Sequence, residues 1–147
     1  MSIQQQLTEA MKEAMKAKDS LRLNAIRMAR TALKNAEIEA RGELDAAATI
    51  KVLSTLVKQR REAADAYRAT RPELADKEEQ ELAVLQEFLP AQLSEEELMT
   101  MVEQAIAETG ANSPRDMGAV MKQLTPKTTG RADGKLVSQL VRSKLGA

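Results

Sequence analysis

Phe88-Leu89-Pro90-Ala91-Gln92-Leu93-Ser94-Glu95-Glu96-Glu97 is the stretch where the helical pattern of the chain stops and begins again. Pro90 has no backbone N–H and pushes Leu89 out of the helical region, so one helix cannot run through it. Ser94 and Glu97 then have the spacing of a capping box, and Leu93 can pack on Leu98 as a hydrophobic staple. Glu95, Glu96 and Glu97 fall in the first turn of the new helix, where its dipole favours negative charge. This stretch divides the chain into a helical domain over 1–92 and a smaller three-helix domain over 93–147.

Working back from Pro90, the pattern is strongly periodic. Ser2 and Gln5 can cap a first helix whose stripe is Ile3, Leu7, Ala10, Met11, Ala14 and Met15. Asp19 can cap a second helix running to about Ala40, with Leu21, Ala25, Ala29, Ala32, Leu33 and Ala36 inward and Gly42 as its stop. Arg27, Arg30, Lys34 and Arg41 share another face of that helix. Asp45 can cap a third, with Ile50, Leu53, Leu56, Val57, Ala64 and Tyr67 as its stripe. Arg60 sits in the middle of this stripe. A buried charge without a partner costs several kcal/mol in order of magnitude, so Arg60 calls for a carboxylate. Pro72 suits the first turn of a fourth helix with Leu74, Leu82, Leu85 and Leu89 inward. The connection is short, so helices three and four are antiparallel neighbours, and Arg60 is expected to pair with Glu78 or Glu81.

Working forward, Leu98, Met101, Val102, Ala105 and Ile106 face inward and Gly110 ends the fifth helix. Ser113-Pro114 opens a sixth, lined by Met117, Val120, Met121 and Leu124. Gly118 costs that helix about 1 kcal/mol relative to Ala, which suggests close approach of a neighbouring helix. Thr125 to Gly130 reads as a loop. Asp133 then caps a last helix with Leu136, Val137, Leu140, Val141 and Leu145 inward and Lys135, Ser138, Gln139 and Arg142 outward. The fold class is all-α, with about four helices in the first lobe and three in the second.

Composition narrows the chemistry. There is no Cys and no His, which removes disulfides, thiolates, the usual general base and the commonest metal ligand. No nucleophile–base pair is recognisable, and no catalytic residue, cofactor or metal is expected. Glu95, Glu96 and Glu97 point in different directions on a helix, as a metal site would not. Gly130 and Gly134 are separated by three residues and Leu136 stands where a phosphate loop has Ser or Thr, so a nucleotide-hydrolysing loop is excluded. No apolar run approaches the roughly 18 residues of a membrane span, and neither a secretory nor a transit signal is evident. A cytoplasmic location is expected. The net charge of zero hides an uneven distribution: residues 12–34 and 111–147 each carry seven basic and two acidic side chains, while 73–97 carry one basic and nine acidic. With Tyr67 and Phe88 the only aromatics, any nucleic-acid contact would be to backbone and shape, as suits a structured RNA, and not to stacked bases.

Lys58-Gln59-Arg60-Arg61, Glu78, Leu85-Gln86-Glu87-Phe88-Leu89-Pro90, Gln92-Leu93-Ser94, Asp116-Met117-Gly118-Ala119-Val120-Met121 and Gly130-Arg131-Ala132-Asp133-Gly134-Lys135 together resemble the YqeY family. The resemblance covers nearly the whole chain, departing at Thr70-Arg71-Pro72, where the family often has Gly-Arg. The family is similar to the C-terminal helical and tail region of the B subunit of tRNA-dependent amidotransferase. The resemblance implies a two-lobed helical fold and a general label of carbon–nitrogen ligase with glutamine as amido-N-donor. This chain has neither an amidase signature nor a recognisable ATP site. The resulting expectation is a non-catalytic tRNA-binding or tRNA-associated module, with contacts from Lys127, Arg131, Lys135 and Arg142, joined by Arg27, Arg30 and Lys34. Two other readings stand beside it: a protein-interaction adaptor using the acidic segment 73–97, and an amidotransferase component active only with another subunit.

Overall fold

A computed structural model describes residues 1–146. Among these residues there are seven α-helices and no strand: α1 (Ile3–Ala17), α2 (Ser20–Ala40), α3 (Ala46–Tyr67), α4 (Pro72–Gln86), α5 (Glu95–Thr109), α6 (Met117–Thr128) and α7 (Gly134–Lys144). Packing divides them into two units, Met1–Pro90 and Ala91–Ala147. The division falls two residues before the sequence boundary because Ala91 and Gln92 bond within the second unit. Gln92 Nε2 donates to the Gly130 carbonyl at 2.7 Å, and Arg131 Nε donates to the Ala91 carbonyl at 3.2 Å.

The first unit is a four-helix assembly in which α3 and α4 pack most extensively and α2 touches all three others. Its core takes Leu7, Ala10 and Ala14 from α1, Ala25, Ile26, Ala29 and Leu33 from α2, Leu53 and Val57 from α3, and Val84, Leu85 and Phe88 from α4 and the turn after it. Burial of a side chain such as Leu7, Ile26 or Leu53 contributes about 1.5–3 kcal/mol. Ser2 and Gln5 close both halves of a capping box, and Asp19 and Asp45 accept from the N–H groups of Arg22 and Ala48. Thr49 is buried yet satisfied: its hydroxyl donates to the Asp45 carbonyl and accepts from Gln4 Nε2.

Met15, expected in the inward stripe of α1, is 52% exposed near the end of the helix. Three further local expectations change in this unit. The inward stripe of α4 is Ala75, Glu81, Val84 and Leu85, continued by Phe88, while Leu74, Leu82 and Leu89 are half-buried at its side. The buried face centres on a carboxylate, which a search for leucines misses. The stop of α2 is Arg41 in the left-handed region (φ 57°), with the Gly42 N–H bonded to the Glu37 carbonyl. Arg41 therefore leaves the helical face that carries Arg27, Arg30 and Lys34. At Thr70-Arg71-Pro72 the chain needs no glycine. The N–H groups of Thr70 and Arg71 both bond the Tyr67 carbonyl, and Arg71 takes φ −139° ahead of Pro72.

The second unit packs α5, α6 and α7 around Leu98, Val102, Ala105, Val120, Leu124, Val137, Val141 and Leu145. Ser94 and Glu97 form the capping box at its start, and Gly110 ends α5 at φ 68°. Pro114 begins a single 3-10 turn, Pro114–Asp116, and α6 starts only at Met117. Gly118 is therefore in the first turn of α6, with nothing within 4 Å of an added Cβ, so no helix approaches it. The segment Thr125–Thr128 is the last turn of α6, with Pro126 inside it. Pro126 removes one N–H from the ladder. The hydroxyls of Thr125, Thr128 and Thr129 each donate to a carbonyl four residues back, at 2.7, 3.1 and 2.7 Å, and help bind the turn.

Candidate nucleic-acid interface

The expected cations lie on two separate faces, one in each unit. In the first, Arg27, Arg30 and Lys34 are exposed along α2. With Gln4, Leu7, Thr8 and Met11 of α1, and with Glu37 toward the far end of α2, they line a groove of about 510 Å³. The spacing from Arg27 to Lys34 is two turns, about 10 Å of rise, so the three charges form a ridge. Arg30 Nη1 lies 2.9 Å from Met11 Sδ. None of the three has a carboxylate within ion-pair distance among the described residues, whereas Arg22, Arg60, Arg68 and Lys144 each do.

In the second unit, Lys127 is exposed in the last turn of α6, and Lys135 and Arg142 are exposed seven residues apart on α7. The Asp133 carboxylate accepts from the Lys135 backbone N–H at 3.2 Å and caps α7, leaving the Lys135 ammonium in solvent. Arg131 is different. Its guanidinium bonds the Ala91 carbonyl, its N–H bonds Thr128 and its carbonyl accepts from Leu93 at 2.8 Å. Arg131 therefore pins the start of the second unit to the turn before α7. Gly130 makes this turn at φ 79°. The Glu97 carboxyl is held below its usual value of 4.5, first by the Ser94 hydroxyl and backbone N–H of the capping box and then by the Arg131 charge.

The pair within the core of the first unit has a defined geometry. Arg60 Nη1 donates to Glu78 at 3.1 Å, and its Nε lies 3.7 Å from Glu81. Arg60 therefore faces both carboxylates, with its Nη2 3.8 Å from Met28 Sδ. The cluster lies inside a helix–helix contact and binds α3 to α4. Residues that sequence reasoning passed over are Gln92, which clasps Gly130, and Arg22, which pairs with Glu87 and lies 6.0 Å from the Phe88 ring centre. The Gln92 contact spans 38 residues and leaves no local trace. Arg22 and Glu87 are equally remote in sequence. Among the described residues, no three acidic side chains gather as a metal ion would need, and no helix is long and apolar enough to cross a membrane.

Comparison with known proteins fits this architecture. Residues 4–145 match the family model described as Yqey-like protein. The chain is 37% identical over 101 residues to altered inheritance of mitochondria protein 41, mitochondrial, of Vanderwaltozyma polyspora, covering 66% of this chain and 55% of that protein. It is 34% identical over 113 residues to the protein of the same name from Lachancea thermotolerans, covering 74% of this chain and 60% of the relative. The chain thus spans little more than half the length of these curated relatives. With the match running almost from end to end over seven helices, the chain belongs to the YqeY family.

Proposed function

We propose that the protein is a non-catalytic module that binds the phosphate backbone of a structured RNA, a tRNA in the first instance. One observation carries the reading: Arg27, Arg30 and Lys34 stand exposed on one face of α2 with no carboxylate partner among the described residues. Side chains of this kind contact phosphates, and their periodic spacing supplies several contacts from one rigid helix. Lys127, Lys135 and Arg142 offer a second set on the other unit, while Arg131 is engaged in holding its turn. The scarcity of aromatics favours shape and backbone over base reading. The reading places the protein in the cytoplasm; the mitochondrial designation belongs to the yeast relatives by name.

Fluorescence anisotropy with labelled tRNA across a salt series tests this. Removing one phosphate-binding side chain reduces the slope of log K against log salt by about 0.7–0.9. The triple variant Arg27→Ala/Arg30→Ala/Lys34→Ala is expected to flatten the slope by about two units and weaken binding. Absence of binding near physiological salt refutes the reading and transfers weight to the protein-adaptor alternative. Glutamine-dependent amide transfer by the chain, alone or with a partner subunit, would establish the amidotransferase-component alternative instead.

A further inference from the structure

Asn24, Met28, Thr31 and Asn35 recur at helical spacing on α2 and form one wall of an open groove of about 600 Å³, which Leu56 of α3 and Lys77 and Glu81 of α4 complete. Glu81 is only 7% exposed. Its nearest cation is Arg60, whose Nε stands 3.7 Å away, beyond hydrogen-bond reach, and has no hydrogen-bond partner. The hydrogen bond of Arg60 goes to Glu78. Of this cluster only Glu81 lines the groove; behind it one guanidinium, Arg60, faces the two carboxylates of Glu78 and Glu81. A carboxylate can accept several hydrogen bonds, yet none to Glu81 is found among the described residues. A cationic donor entering from the groove would meet that need.

At the mouth the sign reverses. Lys77 and Arg27 are exposed there, with no carboxylate within ion-pair distance among the described residues. Lys77 and Glu81 are one helical turn apart, about 6 Å along the axis. Met28, Ala32 and Leu56 contribute apolar lining to the same groove. We propose that this groove binds a small amphoteric molecule, its ammonium group on Glu81 and its carboxylate or phosphate on Lys77 and Arg27, with a short alkyl chain between them. A simple anion adds no hydrogen bond to Glu81 beyond its ion pair with Arg60, a polyamine is repelled at the mouth, and a neutral molecule answers neither end. The site shares Arg27 with the proposed RNA face but does not rest on that reading, since Lys77 and Glu81 take no part in it.

The probe is δ-aminovalerate, titrated into the isotopically labelled full chain and followed by backbone amide shifts, beside its half-ligands valerate and pentylammonium. Saturable shifts confined to 24–35, 56 and 77–81 are expected, with each half-ligand about tenfold weaker or more, a loss of about 1.4 kcal/mol. Glu81→Gln should abolish saturation. Lys77→Gln, at an exposed position that leaves the fold intact, should weaken the probe several-fold and keeps the test decisive if Glu81→Gln proves unstable. Valerate added to a parallel sample separates carboxylate from phosphate preference when compared with propyl phosphate. The proposal is overturned if no saturable shift occurs at millimolar probe, if a half-ligand binds as tightly as the probe, or if Lys77→Gln binds it unchanged.

Discussion

Replacing Arg60 by Ala isolates the strongest electrostatic commitment in the first unit. The side chains of Arg60, Glu78 and Glu81 are 20%, 17% and 9% exposed. An exposed pair contributes about 0–1 kcal/mol, while stripping one partner from a buried pair costs about 3–5 kcal/mol because the other charge is left enclosed. Here Glu81 is nearly enclosed and Glu78 less so, which places Arg60→Ala at about 2–4 kcal/mol. Such a loss is a large part of the roughly 5–15 kcal/mol that usually holds a domain. Tyr67, the single tyrosine, lies at the end of α3, and there is no Trp, so tyrosine fluorescence reports this unit. With a urea slope of about 1–3 kcal/mol per M, the midpoint should fall by roughly 1–2 M. Adding Glu78→Gln and Glu81→Gln to Arg60→Ala should recover part of the loss, since the stranded charges are then gone. A loss of less than about 1 kcal/mol, with no recovery in the triple variant, would refute the enclosed-cluster argument.

Arg41→Gly/Gly42→Ala moves the glycine to the position that adopts φ 57° and places a Cβ at Gly42, where nothing lies within 4 Å. A gain of about 1 kcal/mol is expected, read from the same urea midpoint. Arg131→Ala should destabilise the second unit by about 1–2 kcal/mol by removing the bond to the Ala91 carbonyl, whereas the exposed Lys135→Ala stays within about 0.5 kcal/mol; hydrogen exchange at the α7 amides distinguishes them. Glu97 has a lowered pKa in the folded state, so its stabilisation is present above the unfolded value and is lost as pH falls through the folded one. Glu97→Gln keeps the capping geometry, and acid titration followed by helical circular dichroism should show a shallower decline below about pH 4.5.

The features legible in the sequence were those whose physics is local. Ser2 with Gln5, Asp19, Asp45, Ser94 with Glu97, Gly110 and Asp133 all occupy helix ends because a cap needs only three or four residues to specify it. Arg60 was legible for a different reason: a charge in an apolar stripe requires a partner, and a short connection limits where that partner can be. The inward face of α4 was legible at Leu85 but not at Ala75, Glu81 and Val84, because leucine spacing also pointed to Leu74, Leu82 and Leu89, which are only half-buried. Pro126 inside α6 and the left-handed Arg41 violate propensity, and only the surrounding hydrogen bonds of their turns sustain them. Of the site, periodic basic residues could be read directly. The structural duty of Arg131 could not, since the Ala91 carbonyl it holds is 40 residues away.

The charge map also weighs the two leading functions against each other. By sequence, the acidic segment 73–97 looks like the stronger patch, with nine carboxylates against one cation. In the folded chain Glu78 and Glu81 face Arg60, Glu79 pairs with Arg68, Glu87 with Arg22, and Glu97 closes a helix cap. Much of that acidity is therefore engaged inside the first unit and at the start of α5. Of the seven cations in 12–34, only Arg22 has a carboxylate partner among the described residues. Paired exposed charges contribute little field at a distance, while unpaired ones of one sign raise the local concentration of an oppositely charged partner. On α2 the charges without an ion-pair partner among the described residues are Arg27, Arg30 and Lys34 against Glu37 and Glu39, three positive and two negative, with the three cations grouped ahead of the two carboxylates. On these grounds a polyanion fits the first unit better than a basic protein partner does, and its binding must fall with salt if the ridge of Arg27, Arg30 and Lys34 makes the contact.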